Sequence, residues 1–93
     1  MAVAVIVEAP GMNASQYDAA IKDVIPNGQL PKGCQFHVAG PMDGGWRVVD
    51  VWDSQESFEA FAHGALASAF EKHGVQTQPK VVVWPVHNQV AGP

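Results

Sequence analysis

Ninety-three residues leave room for one domain, 1–93, and no separate catalytic module. Hydrophobic types make up 47% and charged types only 15%, against roughly a quarter charged in a typical soluble domain, so part of the surface of this small chain is expected to lie against a partner. A net charge of −4 with no cluster of Lys or Arg excludes a face built to neutralise nucleic-acid phosphates.

Residues 2–8 (AVAVIVE) form a β-branched run without polar alternation, the pattern of a strand buried on both faces. The run stops at Glu8, lacks a basic leader and is too short for a signal peptide or a membrane span. One cysteine, Cys34, cannot form an internal disulfide, so a cytoplasmic setting is expected. Pro10 and Gly11 end the strand. Asn13 stands three residues before Gln16, an N-cap signature, and Tyr17, Ala20, Ile21 and Val24 then recur on one helical face until Pro26 stops the helix.

A second strand is expected over residues 34–39, turn chemistry over 40–45 and a third strand over 46–52 (WRVVDVW). Asp53 or Ser54 caps the next helix, with Glu56 placed to complete a capping box with Asp53. Its apolar stripe is Phe58, Phe61, Ala62, Ala65, Leu66 and Ala69; Gly64 is a position where it could break, and Lys72, His73 and Gly74 form its end. The last strand, near residues 80–86 (KVVVWPV), contains Pro85 and so belongs at a sheet edge or ends at a bulge. The order β-α-β-β-α-β is the ferredoxin-like arrangement: an α+β fold with one four-stranded antiparallel sheet and both helices on one face.

Such a sheet normally wets its second face, and its strands then alternate apolar with polar. Here Val3, Val5 and Val7 point one way and Ala2, Ala4 and Ile6 the other; Val81 and Val83 oppose Val82, Trp84 and Val86. Exposing six or more large side chains would forgo about 1.5–3 kcal/mol each. A second copy packed by two-fold symmetry would cover them, so a homodimer is expected.

The element order and the stretch Trp46-Arg-Val-Val-Asp-Val-Trp-Asp-Ser-Gln-Glu-Ser-Phe-Glu-Ala-Phe61 resemble the dimeric α+β barrel superfamily that includes the antibiotic-biosynthesis monooxygenases. Pro85-Val86-His87-Asn88 is similar to the close of small members. The resemblance covers nearly the whole chain. It implies two sheets forming a barrel at a dimer interface and a pocket in each subunit between sheet and helices. Activities in the superfamily include cofactor-free oxygenation of aromatic polyketides, haem degradation, lactone isomerisation and polyketide cyclisation; their functional residues differ between branches, and none is carried over.

Asp50 is the conspicuous residue, a carboxylate in mid-strand between Val49 and Val51, because a buried charge is expensive unless paired. Trp46, Val48 and Trp52 share its face by the two-residue period. Two indoles beside one acid resemble the wall of a pocket for a flat aromatic molecule, with Asp50 as a desolvated general base; an Asp paired with an Arg, or turned to solvent, is the plainer reading. If the hairpin loop has an even number of residues, His37 faces Val48 or Asp50, and a His37–Asp50 pair becomes a proton shuttle. An odd loop, or a bulge at Gly44-Gly45, would turn His37 to the other face.

His63 could face a pocket beside Gly64 or pair with Glu59 at the surface. His73 fits a helix terminus or a pocket wall. Tyr17 points inward, as core or as wall. Trp84 joins Trp46 and Trp52 as a candidate ring-holder. No spacing matches a metal site, and haem ligation by a single histidine needs no motif. The sequence thus leads to a small hydrophobic or aromatic ligand handled without bound metal or organic cofactor, through Asp50, His37 or His63. Oxygenation, cyclisation or isomerisation, plain binding, and haem binding stay open as outcomes.

Overall fold

A computed structural model describes residues 1–76 and 78–92. Chain order is β1 (Val3–Pro10), α1 (Ala14–Val24), β2 (Cys34–Met42), β3 (Gly45–Trp52), α2 (Gln55–Phe61), a π-helical turn (Ala62–Leu66), α3 (Ala67–Lys72) and β4 (Lys80–Pro85). The four strands form one antiparallel sheet in the order β2-β3-β1-β4, the ferredoxin-like topology expected from the sequence. Among the described residues no helix is long and apolar enough to cross a membrane.

Several boundaries differ from the sequence reading, each for a local reason. β1 runs on through Pro10 because Ala9 and Pro10 still find register partners in Trp46 and Gly45. β2 continues to Met42, three residues beyond the expected end, because the turn is only Asp43-Gly44, with Gly44 at φ +73°, a left-handed conformation that glycine adopts without steric cost. Gly45 lies so close to β1 that a Cβ there would sit 2.5 Å from the Ala9 carbonyl oxygen. Two glycines therefore make the hairpin tight and bring it against β1.

The α1 capping box forms as expected, with Asn13 and Gln16 each accepting from the other's backbone N–H. At α2 the expected box between Asp53 and Glu56 is replaced by Ser54, whose hydroxyl accepts from the Ser57 backbone N–H. Gly64 does not break the second helix. The backbone stays helical and widens into a π turn across residues 62–66, a feature frequent at functional sites.

Both helices cover the same sheet face. The odd residues of β1 (Val3, Val5, Val7) and Trp52 of β3 are buried with Phe58 of α2, while Ala9 packs with Met12, Ala20 and Ala69. The opposite face carries Ala4, Ile6, Val49, Val51, Phe36, Val38, Val82 and Trp84 by register. It is apolar and uncovered: Phe36, Val38, Val82 and Trp84 are 42–49% exposed. One end of it is charged, where Arg47 pairs with Glu8 at 2.6 Å.

Candidate functional site

The hairpin parity that left His37 undecided is resolved by the two-residue turn. β2 and β3 pair so that His37 stands opposite Asp50 and Met42 opposite Gly45. A bulge does occur, but it lies between Cys34 and Phe36, at the far end from Gly44. It adds one residue to β2 beyond His37, so His37 keeps its register and Cys34 also turns to the helix-covered face, opposite Trp52.

On that face four side chains form one connected chain. His37 Nδ1 lies 2.6 Å from Asp50 Oδ1, Trp52 Nε1 donates to Asp50 Oδ2 at 3.2 Å, and Tyr17 Oη lies 2.6 Å from His37 Nε2. Asp50 is 4% exposed. Its ionised carboxylate can only accept hydrogen bonds, so both oxygens are engaged by N–H donors, and no arginine takes part. A neutral imidazole that donates from Nδ1 to Asp50 leaves Nε2 as an acceptor for the Tyr17 hydroxyl. Burial pushes the Tyr17 phenol above its ordinary value of 10.0, and the negative charges of Asp50 and Asp18 add to the rise. The phenol therefore remains a donor at neutral pH. The tyrosine and imidazole rings are within 4° of parallel, with centroids 6.1 Å apart.

This chain borders a cavity of about 50 Å³. A water needs roughly 10–15 Å³ measured this way, so there is room for a few water molecules or one small group, and a larger ligand must widen it. The wall includes Trp46, Val48 and Trp52 from β3, Tyr17 and Ile21 from α1, and Phe58, Phe61, Leu66 and Phe70 from the second helical arm. Leu66 ends the π turn, so the least regular part of that arm lies at the cavity. Cys34 also borders it. Burial raises its thiol pKa, a hydrogen bond to the Phe36 carbonyl works the other way, and Asp50 adds to the rise. A protonated thiol is a poor nucleophile.

The structure thus brings together Asp50, His37, Trp46, Trp52 and Tyr17. It separates the other three candidates from them. Trp84 lies on the uncovered face, opposite Ala4, because strand alternation puts it beside Val82 rather than Val83. His63 is exposed in the π turn and does not border the cavity; Glu59, its expected partner, instead accepts from Gln55. His73 caps α3 and sits 2.7 Å from Asp23 Oδ2, tying α3 to α1. That hydrogen bond is the main cause of a lowered Asp23 pKa. Sequence reasoning missed the Tyr17–His37 link, and its only signal was a phenol on the inward stripe of α1. Among the described residues no three His, Cys, Asp or Glu side chains converge as metal ligands.

No family model and no curated protein matches the chain, but solved structures do. A candidate antibiotic biosynthesis monooxygenase from Deinococcus radiodurans aligns at 11% identity and a TM-score of 0.64, over 100% of this chain and 99% of its own. SnoaB, a cofactor-independent oxygenase from Streptomyces nogalater, aligns at 11% identity and a TM-score of 0.64, over 98% of each chain. MhuD, solved with two manganese protoporphyrin IX molecules per active site, aligns at 22% identity and a TM-score of 0.64, over 99% of this chain and 100% of its own. At these identities the likeness speaks for the backbone: the chain has the ferredoxin-like α+β fold of the antibiotic-biosynthesis-monooxygenase-like proteins, the superfamily its sequence resembles.

Proposed function

We propose that this protein is a small-molecule enzyme that works without a bound cofactor, removing a proton from an aromatic or polyketide-like substrate as the first step of a monooxygenase-type reaction. The observation that supports it is the half-buried Tyr17–His37–Asp50–Trp52 chain at the edge of an apolar cavity. The sequence pointed to Asp50 as the base, but a carboxylate with both oxygens engaged is better suited to orient His37 and stabilise its imidazolium. His37 Nε2 is the proton acceptor, available once substrate displaces the Tyr17 hydroxyl. Trp46 and Trp52 form the wall for a flat ring.

The step balances without a metal. Nε2 takes a proton from an acidic C–H, leaving a carbanion delocalised into the neighbouring carbonyl. O2 adds to that carbon, and the peroxide anion recovers the proton from the imidazolium. Loss of water from the hydroperoxide leaves one oxygen atom as a ketone and the other as water. A carbanion that attacks within the substrate gives cyclisation or isomerisation instead, from the same first step.

A haem ligand would have to be His37, the one histidine on the cavity wall among the described residues, with Nε2 released from the Tyr17 hydroxyl. The homodimer belongs to this reading as well. Four large apolar side chains at 42–49% exposure on one sheet face support a second copy as cover, in a reducing compartment such as the cytoplasm where the single thiol stays free.

Asp50→Asn tests the reading. It keeps the shape but offers His37 an amide in place of a carboxylate, and turnover of an anthrone-type substrate should fall about 10²–10⁴-fold with the fold intact by circular dichroism. Wild-type turnover in that variant would refute the dyad. Product formed under nitrogen at the aerobic rate would reassign the enzyme to cyclisation or isomerisation.

A further inference from the structure

We infer that the Trp46 indole N–H is the recognition donor of the cavity, and that the ligand it serves is an uncharged aromatic molecule carrying a carbonyl-type oxygen. The inference rests on the cavity of the proposed function being the ligand site, and it names what that site selects.

Five side chains on the cavity wall can donate a hydrogen bond: Tyr17, Cys34, His37, Trp46 and Trp52. Four have acceptors within the protein. Tyr17 is bonded to His37 Nε2, Cys34 to the Phe36 carbonyl, His37 to Asp50 Oδ1 and Trp52 to Asp50 Oδ2. Among the described residues, Trp46 Nε1 is the buried side-chain polar atom with no hydrogen-bond partner. A tryptophan N–H withdrawn from solvent normally finds an acceptor, and leaving it without one is destabilising. Its ring centroid is 5.3 Å from that of Tyr17, whose hydroxyl reaches His37. Trp46 and His37 are both on the wall of this one cavity, and a ligand large enough to widen it is the acceptor the buried N–H lacks.

The chemistry of the ligand follows from what the wall offers. Neither Lys nor Arg borders the cavity, and the carboxylate of Asp50 is fully engaged, so a free carboxylate or ammonium on the ligand would be buried without a counter-charge. The remaining wall is apolar or aromatic. An aryl ketone meets these conditions. Its ring packs on the wall, and its oxygen takes the Trp46 N–H. When His37 removes the adjacent proton, the same oxygen becomes an enolate, and a hydrogen bond from Trp46 stabilises the charge as it forms. The imidazolium held by Asp50 supplies the balancing positive charge.

The test uses three small probes of similar shape: acetophenone, α-methylstyrene, in which a methylene replaces the carbonyl oxygen, and benzoate, which is charged. In protein labelled with 15N-tryptophan, the three indole signals are assigned by tryptophan-to-phenylalanine variants. Acetophenone is expected to move the Trp46 indole proton downfield in a saturable manner. It should bind about 2- to 10-fold more tightly than α-methylstyrene, the span of one net hydrogen bond, and benzoate should bind more weakly than either. Trp46→Phe removes wall area as well as the donor, so both affinities should fall, and the preference for acetophenone over α-methylstyrene should disappear. Equal affinities in the wild-type protein, no saturable binding of any probe, benzoate binding as tightly as acetophenone, or a Trp46→Phe variant that keeps the preference would each overturn the inference. Carbonyl-selective binding with no turnover of any carbon acid would leave the inference standing and remove the enzymatic reading; the opposite pattern, turnover sensitive to Asp50→Asn but indifferent to Trp46→Phe, would do the reverse.

Discussion

The two faces of the sheet are made from the same strands and nearly the same residue types, yet they have opposite fates. The helix-covered face buries Val3, Val5, Val7 and Trp52 and holds the one buried charge, Asp50, among aromatic rings. The other presents Ile6, Val49, Val51, Phe36, Val38, Val82 and Trp84 with no helix over them, and residues 86–89 border only its Ala4–Val51–Trp84 corner. Hydrophobicity alone does not distinguish the faces. Polar content does, because the covered face has an internally satisfied hydrogen-bond chain, while the bare face has its charges, Glu8, Arg47 and Lys80, only at one end. The first pattern suits a site that admits a ligand, and the second suits a surface that meets another like itself.

The sharpest way to break this comparison is to make the same change on each face. Trp52 is 1% exposed and Trp84 is 42% exposed. Trp52→Ala opens a void between Phe58 and Phe61, whose rings lie 5.9 and 5.1 Å away, and leaves Asp50 Oδ2 without its donor. A loss of about 3–5 kcal/mol in unfolding free energy is expected, read from urea denaturation. Trp84→Ala should cost well under half of that at protein concentrations too low for association. Equal losses would mean that the bare face is already part of a monomer core, and the distinction would collapse.

That asymmetry shows what the sequence could reveal. Strand alternation alone put Trp84 beside Val82 and away from Val83, so its place on the bare face was legible, and grouping it with Trp46 and Trp52 overrode that signal in favour of residue type. The His37–Asp50 pairing was legible as a conditional, since it hung on a hairpin parity that two adjacent glycines left ambiguous. The bulge that turns Cys34 inward left no signature at Cys34 or Gln35. Tyr17–His37 joins a helix to a strand twenty residues on, and no spacing rule encodes such a contact. His73 was legible as a helix end, but its partner Asp23, fifty residues earlier, was not.

A charge on the bare face separates association from folding more gently. Val82 sits opposite Ile6 on that face and is 45% exposed, so an aspartate there remains hydrated in a monomer. Val82→Asp is expected to change the unfolding free energy of dilute protein by about 0.5 kcal/mol or less. In a symmetric dimer the new carboxylate appears twice and is desolvated, so association should weaken about 100-fold or more, visible by sedimentation velocity. A wild-type protein that sediments as a monomer at high concentration would remove the need for any cover, and the bare face would require another account.

The smallest expected effect belongs to the hydroxyl at the end of the half-buried chain. Burial first, then the negative charges of Asp50 and Asp18, raise the Tyr17 phenol above 10.0 in the folded protein. Between the ordinary phenol value and this higher one, the folded state holds a proton that the unfolded chain has released. Stability is therefore complete below pH 10 and declines as pH rises through the folded value. Tyr17→Phe should remove this share of the alkaline decline while keeping the ring against Trp46, 5.3 Å away. At neutral pH the variant loses one hydrogen bond to His37, worth about 0.5–1.5 kcal/mol, and its Nε2 becomes open to the cavity. The informative measurement is unfolding free energy from pH 7 to 11 in both proteins. Curves that stay parallel above pH 10 would show that folding does not raise the phenol pKa, and that neither burial nor the charges of Asp50 and Asp18 act on it as described.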